Sequence, residues 1–197
     1  MRSLGSILSV VLFLLFAGPA MALPTIIVDA GHGGIDRGGG PGQKIPEKPY
    51  VLDIAKRVQI ALREAGFPVV MTRDGDYFVG LGGRCAVANS RRGSIFVSIH
   101  LNSAPREGAD GIETYYYNRS SAALAAAIHP RAVRAAGTED RRIRQRGFYV
   151  LRNTRGVAVL CELGFLTNRA EAARILTASH RERLARAVAA GVIARYR

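Results

Sequence analysis

Residues 25–34 read Thr-Ile-Ile-Val-Asp-Ala-Gly-His-Gly-Gly, an apolar and β-branched run that stops at glycines. Such a run predicts a buried strand that opens into a loop. The same arrangement returns in residues 94–99, which precede His100, and in residues 157–163, which contain Glu162. Three buried strands that carry a His or Glu at or near their ends indicate both the fold and the place of its chemistry.

Helical patterns separate these strands along the chain. The helices are predicted over residues 49–65, 81–92, 121–136, 168–176 and 179–197. The remaining strands are predicted at residues 68–72, 111–117 and 148–151. Alternating strands and helices are typical of an α/β fold. We therefore expect a single domain with a mostly parallel, twisted sheet of about six strands and helices on both faces.

Two histidines and two glutamates are the candidate residues of a site at one edge of the predicted sheet. Loops that leave the carboxyl ends of parallel strands meet at one rim, and His32, His100 and Glu162 all lie at or near such ends. Glu47 precedes the first long helix, where it is either part of this group or a charge favoured by the helix dipole. Two imidazoles and a carboxylate leave an open position on a metal, while a further carboxylate handles protons. This set predicts a hydrolytic zinc site.

Other polar residues lie near this rim. Asn102 either orients substrate or a ligand, or caps a turn. Asp29 and Asp36 are candidates to hydrogen-bond a ligand histidine and fix its tautomer. His129 and His180 lie on predicted helices, and we expect them at the surface rather than at a metal.

The composition is strongly basic, with a formal net charge of +13 and a pI of about 10.8. The basic residues are spread along helices rather than interleaved with aromatic residues. Residues 1–22 have the composition of an export signal, which argues against nucleic acid as a partner. A loose, salt-sensitive attraction to anionic envelope polymers is one interpretation, and a merely solvated basic surface is the other. The sequence has no oligomer signal, so we expect a monomer.

The first 22 residues have the composition of a signal peptide. Arg2 is followed by an apolar core, and Ala20-Met21-Ala22 has small residues at the positions of a cleavage site. We expect a signal peptide over residues 1–22, a mature domain over residues 23–197, and a periplasmic, cell-wall or extracellular location. Since no charge occurs between Arg2 and Asp29, an uncleaved membrane anchor stays an alternative.

The chain has two cysteines, Cys85 and Cys161. Export would permit a disulfide between them. The apolar run around Cys161 favours a buried, free thiol instead, and the sequence leaves the distance between the two residues open.

Seven segments together resemble a known family. They are V-D-A-G-H-G-G at 28–34, E-K at 47–48, T-R-D-G-D at 72–76, R-x-x-x-A-N at 84–89, F-V-S-I-H-x-N at 96–102, F-Y-V-L-R at 148–152 and E-L-G-F-L-T-N at 162–168. All occur in order and at fitting separations. Over essentially all of residues 25–197, the chain resembles the zinc-dependent N-acetylmuramoyl-L-alanine amidases, the Amidase_3 family of peptidoglycan hydrolases.

The resemblance implies one zinc ion per chain, held by His32, Glu47 and His100. It implies hydrolysis of the amide bond between N-acetylmuramic acid and L-alanine, in peptidoglycan or in soluble muropeptides. A zinc-activated water would attack this bond, with Glu162 as general base and then general acid. One departure lies beside the expected substrate groove, where Arg142 follows an arginine at a position that is usually glycine in relatives.

The residues alone leave other functions open. The same metal chemistry would serve a zinc peptidase that cuts within the stem peptide. A non-catalytic wall-binding domain and an exported binder of another polyanion are further alternatives. The retained metal could also differ from zinc.

Overall fold

Six strands form one mostly parallel sheet in the computed structural model, which describes residues 22–40, 43–105 and 108–197. The strands are β1 (Ile26–Ala30), β2 (Val69–Met71), β3 (Ile95–Asn102), β4 (Ile112–Tyr116), β5 (Asp140–Gln145) and β6 (Val157–Phe165). Their order across the sheet is β2-β1-β3-β6-β4-β5. Only the pairing of β4 with β6 is antiparallel. The predicted single-domain α/β fold is confirmed.

Six α-helices of the described residues cover the two faces of this sheet, and a 3-10 turn over Arg119–Ser121 precedes the third. They are α1 (Lys48–Glu64), α2 (Leu81–Asn89), α3 (Ala122–Ala136), α4 (Tyr149–Arg152), α5 (Arg169–Ile175) and α6 (Ala178–Tyr196). The long helices α1, α3 and α6, with α5, bury the larger hydrophobic cluster against one face. The short helices α2 and α4 bury a smaller cluster against the other face.

Strand alternation decides which residues reach the face under the short helices. Ile27 and Leu160 belong to the smaller cluster, whereas Val28 and Cys161 belong to the larger one. Because successive side chains point to opposite faces, Asp29 and Glu162 project toward the same side as Ile27 and Leu160. Since α2 and α4 are short, they leave this face open toward the carboxyl ends of the strands.

One predicted strand was wrong and one strand was missed, and both lie between β4 and β6. Residues 148–151 are not a strand. They contribute to the single helical turn α4, which buries the side chains of Val150 and Leu151. Strand β5 was missed, since it is an exposed edge strand with the sequence Asp-Arg-Arg-Ile-Arg-Gln and no apolar alternation. Arg142 interrupts its alternation further with a left-handed backbone (φ 76°).

Three smaller expectations are also corrected. Helix α6 begins at Ala178 rather than at residue 179, and its cap is Thr177, whose hydroxyl accepts a hydrogen bond from the backbone N–H of His180. His180 is buried rather than on the surface. His129 is buried as well, with Thr114 Oγ1 at 3.0 Å from Nδ1 and Asp140 Oδ1 at 2.7 Å from Nε2, so it joins α3 to the outer strands.

Cys85 and Cys161 are both buried and free. Cys85 lies in the smaller hydrophobic cluster and Cys161 in the larger one. The two thiols therefore lie on opposite faces of the sheet. Both are free, as the alternative without a disulfide predicted.

The predicted signal peptide, residues 1–22, lies outside the described residues except for Ala22. Within the described ranges, every helix is too short or too polar to cross a bilayer.

Candidate active site

His32 lies in the loop directly after β1, in a backbone conformation that non-glycine residues rarely adopt (φ 60°). Two buried arginines hold this loop in place. Arg84 donates to the carbonyl oxygens of Ala30 (2.6 Å) and His32 (2.7 Å). Arg73 donates to those of Ala30 (2.9 Å) and Gly31 (2.7 Å). The imidazole is thus fixed at the rim through hydrogen bonds to its own backbone.

Glu47 lies at the N-terminus of α1 and is 2% exposed. Its Oε1 accepts hydrogen bonds from the backbone N–H of Leu101 (2.7 Å) and from Nδ1 of His100 (3.0 Å). Its Oε2 lies 3.1 Å from Nε2 of His32. The carboxylate therefore lies between the two imidazoles and belongs to the group at the rim, rather than being only a charge at a helix end.

His100 lies near the end of β3, with its ring against the backbone of Gly31. A Cβ at Gly31 would overlap this imidazole, so the position requires glycine. Gly38 must also be glycine, because its φ is 72° and a Cβ there would lie 2.6 Å from the Cβ of Glu47. The rings of His32 and His100 consequently approach edge to face, with centroids 4.8 Å apart.

One ligand atom from each of His32, Glu47 and His100 lies within 4.8 Å of the others. Two imidazoles and a carboxylate are donors that suit zinc. Burial alone would lower the pKa of His100, but the hydrogen bond and charge of Glu47 outweigh it and raise the pKa to about 9. Burial would raise the pKa of Glu47, but the hydrogen bonds from His100 and His32 hold it well below its usual range. A divalent cation would replace the protons that join these groups.

Glu162 projects from β6 beside this group. It lies opposite His100 in the pairing of β6 with β3, and opposite Glu113 in the pairing with β4. Its Oε2 is buried and has no hydrogen-bond partner within the described ranges. Burial raises the pKa of this carboxyl to about 7, with His100 opposing the shift and Glu47 adding to it. A carboxyl that titrates near neutrality is suited to accept a proton and then release it.

A cavity of about 560 Å³ contains all four residues in its lining. Part of this lining is apolar and solvent-exposed, namely Phe78 (54% exposed), Leu81 (54%), Phe148 (42%) and Tyr149 (45%). Another part is small or polar and includes Gly39, Gly40, Asn102 and Ser103. Exposed apolar side chains that converge on polar groups are typical of a ligand site.

The comparison with protein families identifies the fold. The family Amidase_3, described as N-acetylmuramoyl-L-alanine amidase, matches residues 26–194. The chain belongs to the Amidase_3 family. It is 36% identical over 177 residues to the N-acetylmuramoyl-L-alanine amidase LytC of Bacillus subtilis, a match that covers 88% of this chain and 36% of LytC. The chain thus spans about a third of the length of the first curated relatives that it matches.

Solved amidase structures share this Amidase_3 fold. The catalytic domain of CwlV from Bacillus (Paenibacillus) polymyxa superposes with a TM-score of 0.82 at 37% identity, covering 86% of this chain and 96% of that one. AmiC2 of Nostoc punctiforme gives a TM-score of 0.82 at 35% identity, with coverage of 87% and 96%. Most of this chain therefore has a structural counterpart in these solved amidases.

The other predicted site residues of this Amidase_3 domain take different positions. Asp36 accepts from Nδ1 of His32 (2.9 Å), the contact expected of a residue that fixes a tautomer. Asp29 differs from the prediction, because its hydrogen-bond partners among the described residues are Thr72, Ser98 and Arg84, and none is a histidine. Arg84 connects it to the backbone carbonyl of His32.

Asn102 lines the cavity and is held at both ends of its carboxamide. Its Nδ2 donates to Oε2 of Glu113 (2.8 Å), and its Oδ1 accepts from the backbone N–H of Ser103 (2.8 Å). Both expected roles, orienting a group in the cavity and capping a turn, are compatible with these contacts.

Glu113 is a residue near the Amidase_3 site that sequence reasoning missed. It is 5% exposed and accepts from Asn102, from the hydroxyl of Tyr115 (2.6 Å) and from Nε of Arg141 (3.2 Å). The alternation in residues 111–117 places Glu113 and Tyr115 on one face of the predicted strand and Thr114 on the other. The polar character of Glu113 then predicts that its face is exposed to solvent. Only the pairing of β4 between β6 and β5 reveals that Glu113 is buried beside Glu162.

Proposed function

We propose that this chain hydrolyses the amide bond between N-acetylmuramic acid and L-alanine, in peptidoglycan or soluble muropeptides, with one zinc ion bound by His32, Glu47 and His100. One observation carries the proposal. The buried Oε2 of Glu162 has no hydrogen-bond partner among the described residues, and Glu162 lines the same cavity as the three ligand residues. Membership of the Amidase_3 family and likeness to relatives named as amidases support the substrate.

The donor set fits zinc, which in such sites activates water and polarises a carbonyl. Asp36 accepts from Nδ1 of His32, which leaves Nε2 on the side of Glu47 to bind the ion. Glu162 accepts a proton from the attacking water and delivers it to the departing amide nitrogen. When substrate covers the exposed apolar lining, which includes Phe78 and Phe148, bulk water leaves the site and these electrostatic interactions become stronger.

Mass spectrometry of reaction products tests this proposal directly. Purified protein is incubated with peptidoglycan and with muropeptides, in chelator, and in chelator followed by zinc. We expect intact stem peptides with a free L-alanine amino terminus, which disappear in chelator and return with zinc. Glu162→Gln should lose turnover by a factor of about 100 or more and keep its bound zinc, measured by metal analysis.

A matched carboxylate variant controls for this loss. Glu64→Gln changes a residue on α1 whose side chain is 60% exposed, and it should leave turnover unchanged. Fragments cut inside the stem peptide would instead indicate a zinc peptidase. Uncut substrate that still binds in chelator would indicate a wall-binding domain, and either result contradicts the proposed activity.

We also propose that residues 1–22 direct export, so that the domain acts in the periplasm, the cell wall or outside the cell. The composition of this segment and its small-residue site support the proposal. Amino-terminal sequencing of protein from the envelope fraction should begin at Leu23. A terminus at Met1 with retention in the membrane would indicate the anchor, and retention in the cytoplasm would contradict export.

A further inference from the structure

Glu113 lies between the cavity and a charged surface on the outer strands, which Arg141 and Arg144 form. On the cavity side it accepts from Asn102 and lies opposite Glu162 in the sheet. On the outer side, Nε of Arg141 is 3.2 Å from its Oε1 and Nε of Arg144 is 3.7 Å away. Directly opposed residues on antiparallel strands have Cβ atoms about 5 Å apart. Only the side chain of Glu113 therefore separates the strand position of Glu162 from these two arginines.

The irregular backbone of β5 turns both arginines toward this surface. Arg142 has a φ of 76°, and the pairing of β4 with β5 shifts register at this point. After the shift, Ile143 lies opposite Thr114 and packs against the larger core, while Arg144 lies opposite Tyr115. Arg141 and Arg144, which are three residues apart, consequently both approach the carboxylate of Glu113.

The two arginines differ in how far their hydrogen-bonding capacity is used. Arg141 contacts Glu113 and Glu139, and its guanidinium lies over the ring of Phe165, 5.1 Å from the centroid. Arg144 uses only Nε, which donates to the carbonyl oxygen of Arg141 (3.2 Å). Its two terminal nitrogens have no partner among the residues that the structure describes, and its side chain is 42% exposed. This leaves a planar pair of donors that fits a carboxylate.

We propose that Arg144 binds a carboxylate on the peptide arm of the substrate, an inference that rests on the proposed amidase function. Strand β5 lies two strand spacings, about 10 Å, from β6. An extended peptide covers about 3.5 Å per residue, so a peptide that leaves the scissile bond toward β5 reaches Arg144 within its first few residues. In peptidoglycan the residue after L-alanine is a γ-linked glutamate, whose free α-carboxylate is the group that Arg144 binds.

Calorimetric titration of a defined peptide tests this without turnover. The probe is L-alanyl-γ-D-glutamyl-L-lysine, compared with the same peptide amidated at the glutamate α-carboxyl, each titrated into the zinc-loaded protein. We expect the acid to bind roughly fivefold more tightly than the amide, the effect of one partly exposed ion pair. Arg144→Gln should abolish this preference, and Arg144→Lys should retain only part of it, because lysine cannot bind bidentately.

Arg92→Gln is the matched control, since it removes the same charge from an exposed turn before β3 and should keep the preference. KM values for muropeptides that carry the free or amidated carboxyl should follow the same pattern. An equal preference in wild type and Arg144→Gln would overturn the role of Arg144, as would no preference in wild type. If the protein cleaved no muropeptide, the proposed activity would fall, and the peptide titration would still decide the role of Arg144.

Discussion

The substitution Asp29→Asn tests how this site is held together. Asp29 is fully buried, and its carboxylate accepts hydrogen bonds from Thr72 (2.6 Å), Ser98 (2.6 Å) and Nη1 of Arg84 (2.7 Å). An amide of the same size removes the charge that Arg84 pairs with. Removing one partner of a buried ion pair costs about 3 kcal/mol of the free energy of unfolding, because the other charge stays buried. For a domain of this size, Tm should fall by about 6–12 °C.

The same substitution should also weaken metal binding. Arg84 is the link between Asp29 and the loop of His32, because it donates to the carbonyl oxygens of Ala30 and His32. The left-handed backbone of His32 depends on these hydrogen bonds to stay in place. We therefore expect zinc affinity to fall by roughly tenfold, as for other residues that orient metal ligands.

Thermal unfolding and competition with a zinc chelator measure the two effects. Ser98→Ala is the control, since it removes one hydrogen bond to Asp29 and should cost only about 1 kcal/mol. The double variant Asp29→Asn, Arg84→Met should cost less than the sum of its parts, because the two residues are in contact. If Asp29→Asn were no more destabilising than Ser98→Ala, or if the double variant were additive, the ion pair would not be what supports the loop.

Three further predictions follow from the backbone and the titrating groups. Arg142→Gly should raise Tm by about 1–3 °C, because glycine adopts φ 76° without the cost of a side chain, while Arg142→Ala should not; calorimetry of both variants checks this. Zinc uptake should release protons and tighten as pH rises toward about 9, since a proton on His100 competes with the metal; titrations in buffers of different ionisation enthalpy count the protons. Turnover should fall at acid pH, because burial raises the pKa of Glu162 above its usual value and the protonated carboxyl cannot act as a base. Removing the neighbouring negative charge with Glu113→Gln should favour ionised Glu162 and move this limb to lower pH in a kcat/KM profile.

Much of the site could be predicted from the sequence because its residues lie at the ends of locally recognisable elements. His32 follows an apolar run, and His100 and Glu162 lie near the ends of two others; in a parallel sheet the carboxyl ends of such strands meet at one rim. The confirmed α/β fold follows from the same alternation of strand and helix patterns. The helix starts predicted at residues 49 and 168 lie within one residue of the observed starts of α1 and α5, because the proline near the start of α1 and the asparagine that caps α5 act through local chemistry.

What only the tertiary structure decided depends on contacts between distant segments. The edge strand β5 has no apolar alternation, because solvent covers its outer side and a left-handed residue breaks its period. The burial of Glu113 depends on β4 lying between β6 and β5, which no local pattern specifies. Asp29 reaches Arg84, 55 residues away, rather than a nearby histidine. Local sequence therefore determined which chemical groups are available at the rim, and long-range packing determined which of them touch.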